Sequence, residues 1–141
     1  MRRLALFLLL PLAATLLAQE PIAVIVNPES GVTQLSREEV VNLFLGRQKR
    51  LGAGLVAQPV DQVKPSETWA RFYRLLVNKD LAEINAYWSR LFFSDQAQPP
   101  RKAQSSEEVL DLVAANKGTI GFIEKSRVDK RVRVALLLAG P

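Results

Sequence analysis

The chain has 141 residues, 19 Lys and Arg against 14 Asp and Glu, a formal charge of +5, and neither Cys nor His. Without those two residue types the common zinc sites, thiol nucleophiles and Ser-His triads are excluded, and no disulfide can staple the fold. The basic balance is modest, so the clusters Arg47-Lys49-Arg50 and Lys125-Arg127-Lys130-Arg131-Arg133 read as solvated faces, with no nucleic-acid motif beside them.

Arg2 and Arg3 precede an apolar run from Leu4 to Leu17 that Pro11 interrupts, and small residues with Ala18 close it. That is the layout of a secretory signal peptide over residues 1–18, cut near Ala18. The run falls short of the ~20 residues a bilayer span needs, and no later segment approaches that length, so no stable span is expected after cleavage. The expected product is one exported domain over residues 19–141, in the periplasm or otherwise secreted, with room for one core.

Ile22 to Val26 is a short, uniformly apolar and β-branched run, which predicts a strand buried on both faces. Ser36 and Glu39 have capping-box spacing and open a helix whose apolar face carries Val40, Val41, Phe44 and Leu45, with Gly46 as its left-handed stop. Gly52-Ala53-Gly54 turns into a second strand, Leu55 to Val60. Lys64 to Thr68 opens the next helix, where Trp69, Phe72, Tyr73 and Leu76 make an apolar stripe. Asp80 and Glu83 form a second box-like pair, before a helix that buries Leu81, Ile84, Trp88 and Leu91 and runs to about Phe93. A polar loop from Ser94 to Gln104 contains Pro99-Pro100. Ser105 and Glu108 cap a further helix through Val113. Thr119 to Ile123 reads as a strand, and the alternation of Val132, Val134, Leu136 and Leu138 as a closing one. Strands and helices interleave, so the fold class is α/β, a three-layer-like mixed sheet with flanking helices.

The helix start at Ser66 is the most suggestive place for chemistry. Free backbone N–H groups and a partial positive charge there can hold an anion. Ser66 and Thr68 offer hydroxyl donors, and Lys64 and Arg71 are near enough in sequence to add charge. The simpler reading is that Ser66 caps its own helix. Glu38-Glu39 and Glu107-Glu108 lie in first helical turns, where acidic residues complement the helix dipole, and no general acid/base pair stands out. No enzyme activity, cofactor or metal site is expected. Gly118 and Gly121 lack the Lys-Ser/Thr ending of a phosphate loop, so they read as a tight turn or a close backbone approach.

Leu35-Ser36-Arg37-Glu38-Glu39-Val40 followed by Leu43-Phe44-Leu45-Gly46-Arg47 resembles the "LSRDQLxxIFLGK" helix of phosphate-type periplasmic solute-binding proteins of ABC transporters. Lys117 to Phe122 is similar to their "PGAIGY" turn and strand, and Pro59 through Thr68 stands where they carry a ligand-binding "R-x-x-G-S-G-T" turn. Tyr87-Trp88-Ser89-Arg90 to Phe93, then Pro99-Pro100, resembles a stretch of short single-lobe members. The resemblance implies one lobe of a type 2 periplasmic binding protein and a small phosphate-like anion as ligand. It also implies an ABC permease or envelope protein as partner. Ser66 and Thr68 match the turn's hydroxyl residues and Gln62 stands near its arginine. Pro65 and Glu67 replace its glycines, which leaves a second expectation open: an accessory or interaction module that has lost tight ligand binding.

Overall fold

The computed structural model describes residues 19–91 and 97–140, together with Ala5. Apart from Ala5, the expected signal peptide lies outside the described residues, as does the expected helix end at Phe93. Among the described residues no helix is long and apolar enough to cross a membrane.

Five strands form one mixed sheet: β1 (Ile22–Val26), β4 (Gln58–Gln62), β5 (Arg101–Ala103), β6 (Thr119–Glu124) and β7 (Arg133–Leu138), in the order β5-β4-β6-β1-β7. β4 runs parallel to β5 and β6, whereas β1 is antiparallel to β6 and β7. β1 is buried along its whole length because it has a strand on each edge and helices over both faces. Alternation then sorts its side chains between two cores. Ile22, Val24 and Val26 join α1 (Arg37–Phe44), α2 (Ser66–Val77) and α3 (Leu81–Leu91), while Ala23 and Ile25 pack with α4 (Ser106–Ala115).

The larger core is built on aromatic rings. Phe72 of α2 stacks on Phe122 of β6 with centroids 3.7 Å apart, and Phe44 of α1 meets Phe72 edge-on at 4.9 Å. On the α4 side the sheet is close against the helix: a Cβ on Gly121 would lie 2.5 Å from a Val109 methyl. Close approach, not phosphate binding, accounts for this glycine.

The local start signals hold. Ser36 and Glu39 complete a capping box, Ser105 accepts from the Glu108 N–H, and Asp80 and Glu83 bond reciprocally. Several expectations are corrected. Leu55 to Val60 is not one strand: β2 (Arg50–Leu51) and β3 (Leu55–Val56) form a hairpin, and β4 starts after Ala57, whose N–H goes to Lys49. Pro59 sits inside β4 without cost to the ladder, because β5 pairs only with Val60 to Gln62. Part of the expected loop is β5, an edge strand in which Ala103 alone is buried. On α3 only Ile84 is buried; Leu81, Trp88 and Leu91 are half-buried. A register shift where β7 pairs with β1 interrupts the expected alternation, so Val132 and Val134 pack toward α4 while Leu136 and Leu138 pack toward α2. Ser66 is the first residue of α2, and Pro65, with no capping side chain, holds the N-cap position.

Candidate functional site

β4 and β6 are parallel neighbours, so Gln62 and Glu124 come at adjacent carboxyl ends, and the short connection after Gln62 sets the start of α2 over them. Ligands of open α/β sheets gather at such strand ends. Pro65 contributes its carbonyl to Thr68 and Trp69 but no side-chain cap, and no described group accepts from the Ser66 or Glu67 N–H. Both residues are exposed.

The five residues singled out in the sequence divide here. Thr68 donates its hydroxyl to Glu124 Oε1 at 2.7 Å. Gln62, 1% exposed, donates its amide to the same oxygen at 3.1 Å and to the Lys64 carbonyl at 2.9 Å. Arg71 donates to the main-chain carbonyls of Glu20 and of Gln19, the latter at 3.1 Å. Ser66 and Lys64 are exposed. A hollow of about 400 Å³ is walled by Glu67, Thr68, Arg71, Arg74, Glu20 and Glu124. Thr68 and Arg71 thus share one concavity, which Lys64 and Ser66 do not line.

In the sequence Glu124 follows a strand and reads as a carboxylate that could be buried, with nothing there to mark it as special. Its carboxylate collects the donors that the family resemblance reserves for a ligand, and its Oε2, like Gln62 Oε1, is buried without a partner among the described residues. The available signal was its place at the end of an interior strand.

A second carboxylate lies on the other side of α2. Asp61, 4% exposed, accepts the Tyr73 hydroxyl at 2.8 Å and the Trp69 indole N–H at 3.2 Å. Burial pushes its pKa up to about 7, against the opposing hydrogen bonds of Tyr73 and Trp69 and the charge of Lys102. Burial and the neighbouring Asp61 likewise raise Tyr73. Asp61, Trp69, Trp88, Ile84 and Lys102 border a groove of about 710 Å³. The Tyr87-Trp88 stretch fastens α3 to the end of α1: the Tyr87 hydroxyl reaches the Leu45 carbonyl at 2.6 Å, and a Cβ on Gly46 would lie 3.1 Å from the Trp88 ring. Arg131 ties Glu107, Asp111 and Asp129 together at the surface, which gives part of the basic cluster a structural use. No group of acidic residues suited to a metal ion occurs among the described residues.

No family model matches the chain, and no curated protein matches it. Solved structures do. A phosphate ABC transporter substrate-binding protein from Clostridium perfringens, crystallised with bound phosphate, is 20% identical at a TM-score of 0.66, over 84% of this chain and 45% of its own. An ABC-type phosphate transport receptor from Vibrio cholerae is 23% identical at a TM-score of 0.66, over 83% and 46%. PstS from Borrelia burgdorferi is 18% identical at 0.62, over 86% and 47%. The fold is that of one substrate-binding-protein lobe. The chain spans about half the length of the structures it matches. These neighbours are transport proteins, and the expected α/β lobe agrees with them.

Proposed function

We propose that the chain is an exported solute-binding-like module that receives a small oxyanion, phosphate first among them, for an ABC-type uptake or sensing system. One observation carries this reading. The uncapped first turn of α2 stands at the carboxyl ends of β4 and β6, beside a hollow, in a fold shared with a protein crystallised with phosphate. Backbone amides and the helix dipole supply the attraction there, with Ser66, Lys64 and Arg71 as auxiliary donors and Gln62 and Thr68 beneath. Glu124 works against it. Two unit charges ~4 Å apart repel by about 4 kcal/mol at an effective dielectric near 20 and by about 1 kcal/mol in water. The hollow is open to solvent, so the cost lies toward the lower figure, roughly tenfold, and weak binding is expected, with a Kd on the order of 1 mM. Calorimetry on the exported chain with phosphate, sulfate and small organic anions tests it; no saturable heat at roughly ten times that concentration ends the reading.

The second reading is a non-catalytic accessory or interaction domain of the cell envelope. It is favoured by the carboxylate of Glu124 standing where Thr68 and Gln62 would otherwise meet a ligand. Crosslinking in intact envelopes distinguishes the two: a saturable anion site with no specific neighbour speaks for binding, and the reverse speaks for docking.

A further inference from the structure

The hollow at the start of α2 has one wall that is neither strand nor helix. Residues 19–21 precede β1, and Gln19 and Glu20 line the hollow. Pro21 accepts from the Lys125 N–H at 2.9 Å. Glu20 places its carboxylate on Ser126, taking the backbone N–H at 2.9 Å and the hydroxyl at 3.0 Å. Those two bonds hold the Glu20 carboxyl below its ordinary range, with the charges of Arg71 and Arg127 adding to the effect. Arg71 completes the attachment through the carbonyls of Glu20 and Gln19. Gln19 and Glu20 are exposed, so polar contacts at the surface, not buried apolar area, hold this part of the segment down.

With one N–H of each terminal nitrogen turned onto a carbonyl, Arg71 cannot offer that end of its fork to an anion as a matched pair of donors. Arg71 lines the hollow together with Thr68 and Glu67. We propose that residues 19–21 form a strap that competes with the anion for Arg71, so that strap docking and anion binding oppose each other. This rests on the oxyanion reading above. Binding at one place and docking at the other are then linked reciprocally: whatever loosens the strap tightens the anion, and the anion loosens the strap by the same factor.

The test uses inorganic phosphate and a double-mutant cycle on the exported chain. Glu20→Ala removes both contacts with Ser126 and is expected to tighten phosphate about fivefold. Because it also removes a negative charge near the hollow, the decisive comparison is in an Arg71→Gln background. The strap requires the gain to vanish there, whereas a plain charge effect survives it. Phosphate is also expected to speed hydrogen exchange at the Ser126 amide of the unaltered chain. Phosphate binding that ignores Glu20→Ala, or a gain that persists with Arg71→Gln, overturns the strap and leaves the oxyanion reading intact. Failure of the unaltered chain to give saturable heat with phosphate, sulfate or a small organic anion removes the oxyanion reading, and the competition with it.

Discussion

Asp61 and Glu124 lie on neighbouring strands, flank the first turns of the same helix, and each accepts two donors from this chain. Asp61 has a donor on each oxygen and, although it borders the groove beside α3, is 4% exposed and pinned by Tyr73 and Trp69, so changing it disturbs the core. Glu124 gathers both donors on one oxygen, leaves the other without a partner among the described residues, and borders an open hollow. The chemistry is the same and the surroundings differ. A fully satisfied buried carboxyl is a structural part, whereas a half-satisfied one at a concavity is where partners can be exchanged.

The largest expected effect breaks the Asp61 side. Its folded-state pKa of about 7 stands above the ordinary 3.8, so the fold favours the protonated carboxyl. That contribution is fully present below the unfolded value and is lost as pH rises through the folded one, in total about 4 kcal/mol. Between those limits the unaltered protein should lose stability relative to Asp61→Asn. Denaturant melts across that window that keep the two a constant distance apart would remove Asp61 from the account. Tyr73→Phe comes next. It leaves a buried Asp61 oxygen without its donor, and a loss of about 2 kcal/mol is expected in the same melts, with phosphate affinity unchanged.

Glu124→Gln probes the other member of the pair. The amide oxygen can still accept from Thr68, but the charge is gone, so phosphate should bind roughly tenfold tighter while stability moves by less than about 1 kcal/mol. Calorimetry beside a urea melt reads both quantities. An unchanged affinity with a large stability loss would make Glu124 a second Asp61, and the contrast between them would collapse.

What was legible in the sequence was mostly local. The capping boxes at Ser36 and Asp80 and the cap at Ser105 depend on residues three apart, and the apolar run of β1 on burial by any sheet. The three layers followed from interleaved periodicities. What stayed hidden depends on distant partners. β5 exists because Arg101 to Ala103 pair with Val60 to Gln62, and its own residues, two of them exposed and charged, give no strand signal. The register shift opposite β7 is decided by β1, over a hundred residues earlier in the chain. Gln62 and Thr68 were singled out for their place in the turn, yet the side chain that joins them, Glu124, is brought in by β6.

The smallest expected effect separates three serines that open helices. Ser36 and Ser105 each accept a backbone N–H with the side chain, so Ser105→Ala should cost about 1 kcal/mol. Ser66 makes no such bond, because Pro65 holds the cap position and the hydroxyl points to no described partner. Ser66→Ala should therefore leave stability within about 0.5 kcal/mol. On the oxyanion reading it should still weaken phosphate by roughly threefold, the share of one solvent-exposed hydrogen bond. A serine whose loss is felt only when ligand is present is held for the ligand. A stability loss equal to that of Ser105→Ala would instead return Ser66 to the ordinary business of capping, and leave the amides of α2 to bind alone.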